Sequence, residues 1–147
     1  MDRLIRLVNQ FRNGIEAARD AGDLKDDYSF RKFPRGCCGD TCELLAQYLL
    51  DHEIATDYTW GTYKGQTHAW LVTDNHIIID ITGDQFKEKP EFFYYNQSVY
   101  VGVETDFYKL FKGAEENHHK NVGLDALSRM CQPRLKKLYH VILSYVR

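Results

Sequence analysis

Two short apolar runs near the middle of the chain, "THAWLV" at 67–72 and "IIIDI" at 77–81, limit its fold more than any other stretch. Both are rich in residues that suit a pleated strand, and Asp74 and Asn75 between them mark a turn. Neither run alternates polar with apolar. A strand that is apolar on both faces has both faces covered, so the pair is predicted to lie inside a layered domain. Each run also holds one misfit, His68 in the first and Asp80 in the second. An unpartnered polar side chain is costly there, and an unpaired charge more so. Each misfit is best explained by the other. An Asp–His pair fixes the imidazole tautomer and raises its basicity.

That pairing demands a register. A two-residue turn at Asp74-Asn75 pairs His68 with Ile81 and puts Asp80 on the opposite face, because side chains alternate along a strand. The two residues share a face only if the connection holds an odd number of residues or a strand carries a bulge. A three-residue turn, Asp74-Asn75-His76, pairs His68 with Thr82 and leaves Asp80 diagonally adjacent.

Around the hairpin the periodicity changes. Leu4, Leu7, Val8, Phe11, Ile15 and Ala18 recur at helical spacing, so 3–20 reads as an amphipathic helix ending near Gly22. The polar stretch "DLKDDYSFRKFPRG" reads as a loop, broken by Pro34 and Gly36. A second helix is predicted from about Gly39 to Asp51. "ATDYTWGTYKG" reads as a strand with Thr56, Tyr58 and Trp60 alternating and Gly65 in a turn. "SVYVGV" reads as a further strand, and "YKLFKGAEENHHKNVG" as a loop or short helix. Residues 124–146 read as a closing helix with Leu127, Met130, Leu135, Leu138, Val141 and Ile142 inward, kinked or split at Pro133. Helix, helix, strands, helix defines an α+β chain whose antiparallel sheet is packed against a helix near the N-terminus. At 147 residues it is predicted to be a single domain, 1–147.

Three cysteines fall within six residues in "FPRGCCGDTCELLAQYLL". Positions 38, 42, 45 and 49 share one helical face, so Cys38, Cys42, Leu45 and Leu49 point toward the sheet, with Cys37 about a hundred degrees round. Cys38 is thus the inward-pointing thiol at the very start of the helix. The free N–H groups and partial positive charge there favour a thiolate, and the same amides suit an oxyanion formed when a thiolate attacks a carbonyl. Cys42, one turn deeper, has no such advantage. Gly36 and Gly39 let the backbone turn beside Cys38. Asp40 is accounted for by the first-turn dipole alone. Cys37, Cys42 and Cys131 are expected to be small buried hydrophobes. A thiolate nucleophile needs a base. Of six histidines, only His68 sits in an apolar strand.

These residues, "RGCCGDTCELLAQYLLDHEIATDYTWG", then "HAWL", then "IIDIT", resemble the transglutaminase-like branch of the papain-like cysteine enzymes over about residues 34–84. The resemblance implies Cys38 as nucleophile, His68 as base and Asp80 as orienting acid. Trp60, Trp70 and Gly39 are candidates for the substrate site, with Trp70 equally accounted for as a packing residue. The chain departs from the family where Asp80 is followed by Ile-Thr rather than Pro-Thr, and no upstream residue stands out as a second oxyanion donor. The implied activity is thiol acyl transfer on amide bonds of a protein or peptide through a thioester, as a protease, deamidase or transglutaminase. The family's habits extend this to a bacterial effector or toxin. Alternatives are a non-enzymatic protein-binding module on the same fold, and an arylamine N-acetyltransferase-like acyltransferase. The second has a similar "RG-x-C" opening but a longer chain and a different context after the Asp.

The remaining features exclude more than they assign. A net charge of −2 gives no reason to expect a nucleic-acid or membrane-surface partner, and "RLKK" reads as a solvated helix face. Aromatic content of 14% argues against disorder. Arg3, Arg6, Gln10 and Arg12 interrupt any signal-peptide-like run. The expectation is a protein cytoplasmic as synthesised, with reduced thiols and any export left to a specialised secretion system. No metal is expected: Cys38 and Cys42 lack two further ligands at zinc spacing, and "NHHK" lies in a polar segment. "GTYKGQ" is not a phosphate loop. No acidic loop of calcium-binding type is present, and no cofactor is implied. Phe92, Phe93, Tyr94 and Tyr95 are expected to make core or inter-element contacts.

Overall fold

The computed structural model describes residues 1–147. Its α-helices are α1 (Asp2–Asp20), α2 (Cys38–Asp51), α3 (Asp106–Lys109) and α4 (Gln132–Leu143). Its strands are β1 (Asp57–Tyr63), β2 (Gln66–Val72), β3 (Ile78–Asp80), β4 (Tyr100–Gly102) and β5 (His118–Lys120). All neighbours in the sheet are antiparallel, in the order β4-β3-β2-β1-β5. The chain is therefore α+β. No helix is long and apolar enough to cross a membrane.

The central hairpin is covered on both faces. Ala69, Leu71, Ile79 and Ile81 point to a core that also holds Leu7, Phe11, Ile15, Leu45, Leu49 and Leu138, from α1, α2 and α4. Trp70 and Ile78 point the other way, into Phe86, Phe92, Phe107, Tyr108 and Phe111. This second layer comes from the irregular 83–111 segment, which crosses the sheet so closely that Gly61 of β1 has no room for a side chain. A Cβ there would stand 2.9 Å from the Lys112 carbonyl and from Phe111 Cβ.

The register of β2 with β3 pairs Leu71 with Ile79 and Val72 with Ile78, and Thr73 N–H bonds to the Ile77 carbonyl at 2.9 Å. The connection is thus the three-residue turn Asp74-Asn75-His76, with His76 at φ 65° supplying the left-handed last position. Continued along the strands, this register sets His68 opposite Thr82 and puts His68 and Asp80 on one face.

Several expectations change. The closing helix begins only at Gln132, with Pro133 in its first turn, where a missing N–H costs nothing. Residues 124–126 form a separate 3₁₀ turn. Met130 and Cys131 therefore fall outside the helical stripe. Met130 is 92% exposed rather than inward, and Cys131 is an exposed thiol rather than a core residue. Phe92 is buried and Tyr95 stacks on Phe107, but Phe93 and Tyr94 are exposed. "HHK" forms the edge strand β5, in a segment read as loop or helix, because three exposed polar residues carry no apolar period.

Candidate active site

Cys38 is the first residue of α2, and the first helical hydrogen bond runs from Thr41 N–H to the Cys37 carbonyl at 2.8 Å. The N–H groups of Cys38, Gly39 and Asp40 thus precede the helical ladder. β3 is shorter than β2 and pairs only with its far end, so the first half of β2 has no neighbour on that side. The start of α2 lies beside this open edge, with Cys38 Sγ 4.0 Å from the Thr67 carbonyl oxygen. Cys38 is half-exposed, whereas Cys37 and Cys42 are buried. Burial pushes the Cys37 thiol up to about 12 and raises that of Cys42 as well, so both stay protonated. Asp40 is held by Arg134 Nη1 at 2.8 Å.

On the opposite face of the hairpin, His68 and Asp80 are each almost wholly buried, and His68 Nε2 meets Asp80 Oδ2 at 2.8 Å. Thr82 N–H and Oγ1 donate to Asp80 Oδ1 at 3.0 and 3.4 Å, and Tyr108 Oη donates to Oδ2 at 2.8 Å. Tyr95 Oη lies 3.2 Å from Tyr108 Oη and extends the chain of hydroxyls. Burial alone lifts a carboxyl, but the His68 charge and hydrogen bond, with the Thr82 and Tyr108 donors, hold Asp80 below the usual carboxylate range. Burial alone lowers an imidazole, but the Asp80 carboxylate outweighs it, and the neighbouring Cys38 adds to the effect; His68 is raised. The imidazole edge is enclosed by Phe86, Phe107, Phe111 and Trp70, with ring centroids 5.1 to 6.0 Å away.

With Nε2 committed to Asp80, Nδ1 is the free ring nitrogen. Gln85 Nε2 lies 3.4 Å from it and donates to the Thr82 carbonyl at 3.0 Å. Gln85 also lines an open, polar cavity of about 620 Å³ with Cys38, Arg35, Gln66, Thr67, Glu88 and Lys89. Gln85 thus links the Nδ1 edge of His68, which is wholly buried, to the cavity that Cys38 lines.

The expected substrate-site residues fall elsewhere. β1 pairs Trp60 with Ala69 and Thr59 with Trp70, which sends the two tryptophans to opposite faces of the sheet. Trp60 packs against the helical core and Trp70 against His68 and Tyr108, and neither lines the cavity with Cys38. Gly39 faces Tyr58 instead: a Cβ there would stand 3.1 Å from the Tyr58 hydroxyl.

Two supporting residues were not foreseen. Tyr108 sits in α3, a four-residue helix too short to show a period. Arg12 left a signal, because it interrupts the apolar stripe of α1 between Val8, Phe11 and Ile15. It is buried, and its guanidinium donates to the Ile81 carbonyl at 2.5 Å and to both Asp84 oxygens at 3.0 and 2.8 Å. It also lies 4.6 Å over the Phe33 ring. Arg12 thus ties the segment leaving Asp80 to the loop entering Cys38.

No group of three His, Cys, Asp or Glu side chains is placed to share a metal ion. Compared with protein-family models, curated proteins and solved structures, the chain matches none.

Proposed function

We propose that this chain is a thiol acyl-transfer enzyme acting on amide bonds of proteins or peptides, built on a transglutaminase-like variant of the papain-like core. One observation carries the reading: Asp80 occupies Nε2 of the buried His68 at 2.8 Å, and the remaining Nδ1 lies 3.4 Å from Gln85, which lines one cavity with Cys38 at a helix start.

In this reading His68 Nδ1 takes the Cys38 proton, and Asp80 steadies the imidazolium. The thiolate adds to the substrate carbonyl carbon, and the oxyanion is met by free N–H groups at the start of α2. Collapse breaks the C–N bond, and His68 returns its proton to the departing nitrogen, leaving a thioester on Cys38. Water or an amine then attacks the thioester, His68 takes the attacking group's proton, and the Cys38 thiol is restored. The cavity wall beside Cys38, with the polar groups of Gln66, Thr67 and Gln85, suits a polypeptide. Whether the outcome is hydrolysis, deamidation or transamidation depends on which nucleophile reaches the thioester.

The test is a defined peptide mixture with an added primary amine, incubated with wild type or Cys38→Ala and read by mass spectrometry. New N-termini, glutamine-to-glutamate conversion or amine adducts are expected with wild type alone. None of the three, or all of them equally with Cys38→Ala, overturns the reading.

A further inference from the structure

The cavity beside Cys38 has an uneven charge that the acyl-transfer chemistry does not use. Its charged lining is Arg35 and Lys89 against Glu88, one cation in excess, in a chain whose net charge is −2. Glu88 is taken by Arg35 at 3.2 Å, so those two lining charges offset each other. Asp80 is held by His68 and Asp84 by Arg12, so neither carboxylate is free to cancel a cation at the mouth. Lys89 lines the cavity half-buried and forms no salt bridge, its ammonium 5.8 Å over the ring of Phe86, which in turn meets the edge of His68 at 5.1 Å. It is thus an unneutralised cation on the same aromatic support as the base.

Resting on the reading of Cys38 as a nucleophile, we infer that the site selects amide substrates carrying an anionic group close to the bond attacked, an acidic peptide, and that Lys89 is the residue that holds this group. A lysine ammonium binds a carboxylate as a charge-assisted donor, and a cleft of one sign concentrates ions of the other. The remaining lining groups, Gln66, Gln85 and Thr67, are neutral donors and acceptors suited to the peptide itself.

The experiment compares iodoacetate with iodoacetamide on the full chain at low ionic strength and neutral pH. Both reagents lose iodide to the thiolate and differ only by carboxylate for carboxamide. N-acetylcysteinamide in the same tube supplies a neutral reference thiol, and labelling is read site by site. At Cys38 the iodoacetate-to-iodoacetamide rate ratio, relative to the reference thiol, is expected to be higher by about tenfold. It should fall toward the reference value at high salt. The His68 imidazolium contributes to any such preference, so the variants carry the assignment. Lys89→Gln is expected to remove most of the preference, and Lys137→Gln, on α4 and outside the cavity lining, to leave it intact. If Cys38 reacts fast but its ratio equals the reference, or Lys89→Gln leaves the ratio unchanged, the inference is overturned and the nucleophile reading stands. If Cys38 reacts no faster than the reference thiol with either reagent, the nucleophile reading itself fails and takes the inference with it.

Discussion

Exchanging Asp80 for Asn is expected to slow Cys38-dependent amide turnover by about 10³–10⁴-fold while the sheet stays assembled. The carboxamide keeps the carboxylate's size. Its oxygen can still accept from Thr82 N–H, which meets Asp80 Oδ1 at 3.0 Å. Its NH₂ group then faces His68 Nε2 where a carboxylate oxygen stood at 2.8 Å. An amide donor forces Nε2 to accept, so the ring proton moves to Nδ1. That nitrogen, beside Gln85 at 3.4 Å, is the one assigned to Cys38, and once protonated in the neutral ring it cannot take the thiol proton. The loss is chemical rather than structural, so it should appear in kcat with little change in the far-ultraviolet circular dichroism. Turnover within tenfold of wild type would mean that Asp80 serves packing alone.

The same ion pair should set how stability varies with pH. Asp80 is held below its ordinary value by His68 and by the Thr82 and Tyr108 donors. Its contribution is present above the unfolded carboxylate value, about 3.9, and is lost as pH falls through the lower folded value. His68 is raised, the Asp80 carboxylate outweighing the opposing effect of burial. Its contribution is fully present below the unfolded imidazole value, about 6.5, and is lost as pH rises through the higher folded value. The pair therefore stabilises most between about pH 4 and 6.5. Urea midpoints of wild type and of a His68→Gln, Asp80→Asn double variant, taken from acid to alkaline pH, isolate this contribution. The difference between them should peak in that window and shrink on either side. A difference that stays constant with pH would show that the two groups do not titrate as a pair.

The His68–Asp80 pair was legible because two polar residues broke otherwise apolar strands, and because strand parity turned a turn length into a yes-or-no question about sharing a face. The start of α2 was legible from the spacing of Cys38, Cys42, Leu45 and Leu49. Trp60 and Trp70 illustrate the same parity left unused. Their separation across the sheet follows from β1 pairing Trp60 with Ala69, a long-range register that residue type alone does not report. The cover over His68 was not legible at all. Phe86, Phe92, Phe107 and Tyr108 stand in two 3₁₀ turns and α3, with Phe111 just beyond, and elements of three or four residues are too short for a period to mark which aromatics turn inward. The cavity walls were hidden for the same reason, because Arg35, Gln85 and Lys89 come from loops far apart in the chain. Pro133 interrupts the period as a mid-helix proline would, but it stands in the first turn of α4.

The most direct test of the central claim is the pH dependence of iodoacetamide labelling, resolved at each of the four cysteines, in wild type and His68→Gln. Cys131 is the exposed comparison, and Cys37 and Cys42 are the buried ones. The pairing of Cys38 with His68 predicts that Cys38 labels much faster than the other three below about pH 7, and that His68→Gln removes this advantage. Equal labelling of Cys38 and Cys131 across that range, or a Cys38 rate unchanged by His68→Gln, would contradict it.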